Sequence, residues 1–188
     1  MRRLITLLAL ASLPVFYGCA AAVLGGAAAG GYLVGEDRRP AGVLADDQAF
    51  EFRISNRVSE KYPGSHVSST SYNKLVLLTG EIPTAEAKAE VEKITREVGA
   101  VRGIYNELKV GAPSALSARA NDSYLTSLVK TRFLDAQRFN PVHVKVTTED
   151  STVYLMGIVK RAEGDAATEI ASTTRGVRRV VRVFEYQD

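Results

Sequence analysis

The sequence predicts an α+β protein of two tandem αββαβ sandwiches, each with two helices packed on one face of a three-stranded mixed sheet. Three observations predict it. The chain resembles itself when displaced by 77 residues, both copies carry the same order of helical and alternating apolar patterns, and a helical stretch separates the last two strand-like segments of each copy. A short polar turn joins antiparallel strands, whereas a helical crossover joins parallel ones, so each sheet must mix the two.

The repeat can be followed residue by residue. Val76-Leu77-Leu78-Thr79-Gly80 falls on Val153-Tyr154-Leu155-Met156-Gly157, Glu86 on Glu163, Ala89 on Ala166, Gly99 on Gly176, and Arg102 on Arg179. Upstream, with two residues of slack, Ile54 and Val58 fall on Val129 and Phe133. The first helix of each copy is expected to start at an acidic or amide cap, Asp46 or Asp47 and Asn121 or Asp122, and to run about four turns. Phe50, Ile54 and Val58, and then Leu125, Val129 and Phe133, recur at the spacing of a buried helical stripe. Next come two alternating segments, 67–71 and 75–80 in the first copy and 142–148 and 152–159 in the second, with Asn73 and Asp150 in the turns. A second helix follows, capped by Thr84 and running to Val98 in the first copy, and spanning about 161–174 in the second. Gly99 and Gly176 stand where a helix C-terminal glycine belongs. The last strands are 104–110 and 179–186. These signals bound a first domain at 46–110, a linker at 111–120 and a second domain at 121–188.

The N-terminal region reads differently. Residues 1–18 have the order of a secretory signal: basic Arg2 and Arg3, an apolar run over 4–16, and small Gly18 just before Cys19. The run falls short of the roughly 20 strongly apolar residues that span a bilayer. No charge appears over 4–35, so an uncleaved N-terminal anchor stays open as an alternative. Residues 19–45 are mostly Ala and Gly with a few charges, which bury too little surface to offset ordering, and are expected to form a tether. Cys19 is the only cysteine in the chain, so no intramolecular disulfide forms, and its thiol needs another use. Its position after the apolar core resembles the bacterial lipobox, here Phe16-Tyr17-Gly18-Cys19 with bulky residues where the usual motif has Leu and Ala. That resemblance implies a diacylglycerol on the Cys19 thiol and an acyl chain on its amine; Ala20, in place of a retaining Asp, implies sorting to the outer membrane. No other cofactor is expected.

Composition narrows the function. The formal net charge of +3 falls to about +1 once Arg2 and Arg3 are removed, which does not favour a nucleic-acid partner. No catalytic residue is expected. The only histidines, His66 and His143, are repeat counterparts, one per copy, which is too few for a metal centre and lacks the partners of a nucleophilic triad. A surface or edge role is expected for both, and no metal. The acidic pairs Asp46-Asp47 and Glu149-Asp150 fall at an expected cap and an expected turn.

The hairpins, the Leu-x-Gly close of their second strands, the Ala-rich second helix and Gly176-Val177-x-x-Val180 resemble the BON domain. Also similar to that family are Asn121-Asp122-Ser123-Tyr124, 144–149, Met156-Gly157, Asp165-Ala166-Ala167 and Ile170-Ala171-Ser172. Two such copies behind a lipobox resemble the dual-BON outer-membrane lipoproteins of Gram-negative bacteria. The resemblance implies binding of anionic phospholipid, support of outer-membrane integrity at the periplasmic face, and association with division-site proteins or the outer-membrane protein assembly machinery.

The second copy's first helix points the same way on its own residues. With Leu125, Val129 and Phe133 facing the sheet, Tyr124 and Leu128 lie on a flank and Leu134 on the far side, beside Lys130 and Arg132. An outward aromatic with basic neighbours suits the interface between headgroups and acyl chains. The expected phospholipid contacts are therefore Tyr124, Leu128, Lys130, Thr131, Arg132 and Leu134, with Gly157. Charge agrees: nine basic against ten acidic residues over 46–110, and eleven against nine over 112–188, so the second copy is the better match to an anionic surface. Arg175, Arg178, Arg179 and Arg182 supply much of that excess. The competing function is a periplasmic protein-binding adaptor that uses sheet edges or the first helices.

Overall fold

The computed structural model describes residues 36–188. The signal segment, Cys19 and most of the expected tether lie outside the described residues. Helix α1 (Ala41–Lys61), strands β1 (His66–Tyr72) and β2 (Leu75–Ile82), helix α2 (Ala85–Glu97) and strands β3 (Gly103–Asn106) and β4 (Lys109–Val110) form the first domain. Helix α3 (Leu116–Ala136), strands β5 (Val144–Glu149) and β6 (Thr152–Val159), helix α4 (Arg161–Ser172) and strand β7 (Arg179–Tyr186) form the second, with one 3-10 turn at Pro141–His143. Each is an αββαβ unit. β1 and β2, like β5 and β6, are antiparallel hairpins, while β3 and β4 lie parallel to β2, and β7 lies parallel to β6. The last strand of the first domain, expected as one piece, is interrupted at Glu107–Leu108, where Leu108 turns into the core and is buried.

The anticipated stripes are the cores. Phe50, Ile54 and Val58 meet Val76, Leu78 and Ile82 of β2 and Val91 of α2. Val129 and Phe133 meet Val153, Leu155 and Val159 of β6 and Ile170 of α4. Thr84 caps α2 by accepting a hydrogen bond from the Ala87 N–H at 3.1 Å.

The expected caps of the first helices are elsewhere. α1 begins at Ala41 behind Pro40, and α3 at Leu116 behind Ala115, six residues before Asp47 and Asp122 respectively. Asp47 and Asp122 are instead buried inside their helices and face the hairpin turns. Those turns place non-glycine residues at positive φ, Asn73 and Lys74 in one and Asp150 and Ser151 in the other, which leaves two turn N–H groups pointing inward. Asp47 accepts from the N–H of Asn73 and of Lys74, both at 2.8 Å, and Asp122 accepts from those of Asp150 and Ser151, both at 2.9 Å. A buried carboxylate on the first helix thus fixes each hairpin to it.

The two sheets turn their remaining faces to one another. Along β2, Val76 and Leu78 face the helices, so Leu77 faces away from them. Leu77 and Tyr72 pack with Tyr154, Met156 and Val183 of the other domain, giving layers in the order helix, sheet, sheet, helix. Thr70 on β1 lies 3.3 Å from Thr147 on β5, its own counterpart 77 residues later. Contact between a residue and its own repeat marks a local two-fold axis. Lys145 crosses the same seam to Glu51 at 2.6 Å and to the Ser71 carbonyl at 3.1 Å.

Candidate functional site

With the free sheet faces covered, the outer faces of the helices are what each domain presents. On α3, Leu116, Tyr124 and Leu134 are 78%, 62% and 63% exposed, large apolar side chains left in solvent on one helix. At 100° per residue they fall within about 80° of one another on the side opposite Leu125 and Val129, spread over about 27 Å of axis. Thr131 is exposed within this stripe, and half-buried Leu128 and exposed Lys130 flank its two edges. The site is built by α3 being amphipathic inward and partly apolar outward, with Ser and Thr between. The hydroxyls of Ser123, Ser127 and Thr131 are turned back onto the helix carbonyls four residues earlier.

Two of the expected contacts are not part of this surface. Arg132 is half-buried, and its guanidinium donates to the Ile170 carbonyl at 2.9 Å and to the hydroxyls of Thr174 and Thr173 at 2.7 and 3.2 Å. It ties α3 to the C-terminal end of α4, where a cation is favoured. Gly157 is buried in β6, and a Cβ there would stand 2.3 Å from the His143 carbonyl oxygen. Its counterpart Gly80 has the same problem with His66, at 2.0 Å, and a φ of +103° besides. The Leu-x-Gly motif therefore serves strand approach. Leu116 is the residue the sequence reading missed, because the helix was expected to begin after it.

The arginines near the C-terminus carry partners. Arg182 pairs with Asp165 at 2.8 Å, Arg178 with Asp150 at 3.6 Å and Arg179 with Glu107 of the first domain at 3.6 Å, while Arg175 is exposed. Among the described residues, no helix is long and apolar enough to cross a membrane.

The residue-by-residue match to a family model decides the relationship: a model of the BON domain matches residues 46–112 and again 121–188. The chain belongs to the BON-domain family. It is 37% identical over 175 residues to the outer membrane lipoprotein DolP of Haemophilus influenzae, covering 91% of this chain and 90% of that one. It is 32% identical to a 21 kDa hemolysin of Actinobacillus pleuropneumoniae, over 80% of this chain and 79% of that one.

The BON–BON seam has two chemically different ends. At one, Arg38 forms a bidentate pair with Glu163 at 2.6 and 2.8 Å and donates to the Ile158 carbonyl at 2.8 Å. At the other, His66 Nδ1 lies 3.1 Å from Glu81 and 3.7 Å from Glu149 of the second domain. Burial pushes the Glu149 carboxyl above the usual range; His66 and Lys109 oppose this while Glu81 and Asp122 add to it. Burial presses the same way on Glu81, but the Ser114 N–H, His66 and the Ser114 hydroxyl outweigh it and leave that carboxyl below its ordinary value.

Proposed function

We propose that this chain is an outer-membrane-anchored lipoprotein of the periplasmic face, acylated on Cys19, whose second BON domain rests on anionic phospholipid and supports outer-membrane integrity. The observation that carries the reading is the outward stripe of Leu116, Tyr124 and Leu134 on α3, with Lys130 exposed beside it. A monomer gains nothing from leaving three large apolar side chains in water on one helix, whereas a bilayer surface takes Tyr and Leu at the acyl boundary and Lys at the headgroups. The relative from Haemophilus influenzae, an outer membrane lipoprotein by name, supports the compartment. The signal-like start and Cys19 support the anchor. A tethered chain with a second weak contact on the same leaflet binds by effective concentration, so the helix needs only modest affinity of its own. No catalytic step is assigned to it.

The test is co-sedimentation of residues 36–188, which contain the compact unit 38–188 and lack the anchor, with zwitterionic vesicles and with vesicles containing an anionic lipid. Binding is expected only with anionic lipid. Tyr124→Ala, which removes part of a side chain worth about 1.5–3 kcal/mol on full burial, should weaken it by about tenfold. No sedimentation with either vesicle would overturn the lipid reading and leave a protein-binding adaptor, at the division site or the assembly machinery, as the function to pursue.

A further inference from the structure

We propose that His66, Glu81 and Glu149 form a zinc site that bridges the two BON domains. Each residue alone has an ordinary place, His66 and Glu81 on paired strands of the first domain and Glu149 at the end of β5 in the second. Folding brings one ligand atom of each within 4.8 Å of the others, with His66 Nδ1 at 3.1 Å from Glu81 Oε2 and 3.7 Å from Glu149 Oε1. Donor atoms around a four-coordinate zinc, bonded at about 2.0–2.2 Å, stand about 3.3 Å apart, so the two His66 spacings already fit and the two carboxylates, within 4.8 Å of each other, would close by up to about 1.5 Å. One imidazole nitrogen and two carboxylate oxygens are zinc donors, whereas calcium and magnesium ask for six or more oxygens.

The local two-fold axis supplies the independent argument. Counterparts of the three ligands at the other end of the seam are His143, Ile158 and Tyr72. There the interface closes with an isoleucine, a tyrosine whose hydroxyl donates to the His143 carbonyl at 3.4 Å, and an arginine already paired with Glu163. The packing of this seam therefore does not require acids at those positions. At the His66 end both have become carboxylates, each 9% exposed or less, facing the same imidazole. The neighbouring cations are directed elsewhere: Lys109 bonds Asp150, and Arg119 donates to the Ser114 carbonyl at 2.9 and 3.1 Å. Asp122 adds a further negative charge, occupied with the turn. Two buried acids with one imidazole between them leave a negative excess that a divalent cation neutralises.

The surroundings suit an open metal site. The Ser114 N–H donates to Glu81 Oε2 at 2.9 Å and the Ser114 hydroxyl lies 3.3 Å from His66 Nδ1, so Ser114 holds both groups in place and its hydroxyl would turn away from the imidazole when a metal binds. His66 and Glu149 line a cavity of about 330 Å³ shared with Thr148, Arg119 and Asp122, which gives an entry path and room for water as a fourth ligand. Since Glu149 comes from the second domain and the other two ligands from the first, bound zinc would fasten the domains together.

The experiment uses the full chain in detergent, stripped with a chelator and titrated with zinc chloride, magnesium and calcium by calorimetry. Expected are one zinc per chain, no comparable binding of magnesium or calcium, and a zinc-dependent rise in melting temperature. Glu149→Gln and His66→Ala should each weaken zinc by about 100-fold, at or beyond the 10–100-fold that outer-shell changes alone produce, while His143→Ala leaves it unchanged. Cobalt in the unsubstituted protein should give the intense visible bands of a four-coordinate ion, a readout independent of how the variants fold. A cobalt spectrum of the weak octahedral kind, no zinc uptake, or equal uptake by Glu149→Gln, His66→Ala and the parent would overturn the site.

Discussion

The first helices of the two domains have the same inner faces and opposite outer ones. α1 buries Phe50, Ile54 and Val58 and α3 buries Leu125, Val129 and Phe133, at the same places over their sheets. Outside, α1 carries Asp46, Glu60, Arg53 and Arg57 around one exposed aromatic, Phe52, a solvated surface of mixed sign. α3 carries Leu116, Tyr124 and Leu134 with mostly hydroxyl side chains between them and with Lys130 and Asp135 at the two edges. Duplication fixed the inner face because the core constrains it, and left the outer face to diverge. A difference confined to positions that packing does not need is best explained by a partner.

The comparison is broken most severely at the hinge between helix and hairpin. Asp47 receives the two turn N–H groups, the Ser71 hydroxyl at 2.7 Å and Arg39 at 2.9 Å, whereas Asp122 has the two N–H groups of its own turn. Removing a buried carboxylate strands those donors. Asp47→Ala is expected to cost about 3–5 kcal/mol in urea unfolding and Asp122→Ala about 2–3 kcal/mol. Equal losses would mean that Arg39 and Ser71 add nothing to the first site.

Those two aspartates also mark the limit of what the sequence could say. The periodic stripes, hairpins and Thr84 cap were legible because each is a local pattern whose partner lies within a few residues. An acid or amide ahead of an apolar stripe has the local meaning of a cap, which makes Asp46 or Asp47 and Asn121 or Asp122 the cap candidates; the true acceptor role of Asp47 and Asp122 depends on a turn more than 20 residues away. The helices accordingly begin earlier, and Leu116 was lost from the candidate surface. The seam between sheets had a readable trace, since Val76-Leu77-Leu78 and Val153-Tyr154-Leu155-Met156 are continuous apolar runs of the sort found in strands buried on both faces. Grouping Glu81 with Glu149 was not legible, because no pattern within one copy places them together.

A smaller effect sharpens the comparison of the paired strands. A methyl at Gly80 or Gly157 meets the carbonyl of the opposing histidine, at 2.0 and 2.3 Å, so β1 and β5 must move away from their partners. Gly157→Ala should cost about 1–3 kcal/mol. Gly80→Ala should cost more, because its φ of +103° is also unfavourable for any residue with a Cβ. If Gly157→Ala left stability untouched but abolished vesicle binding, that residue would belong to the lipid surface after all and not to strand packing.

The smallest expected effect concerns the Arg38 end of the seam. The Arg38 guanidinium holds the Glu163 carboxyl below its ordinary value of 4.5; burial opposes this, and the Lys160 N–H and the charges of Arg38 and His143 reinforce it. Because the folded value is lowered, the bond's contribution is complete above the ordinary carboxylate range and is lost as pH falls through the lowered folded value. The side chains are only 18% exposed, yet solvent screening at the rim keeps the expected contribution under about 1 kcal/mol. Urea midpoints of the parent and of Glu163→Gln should therefore differ at about pH 6, and the gap should shrink as pH falls below the ordinary 4.5 and through the lowered folded value. Other carboxylates titrate alike in both proteins and cancel from the difference. No gap at any pH in that span would show that Arg38 holds the second domain through the Ile158 carbonyl alone, with its pairing to Glu163 contributing nothing to the fold.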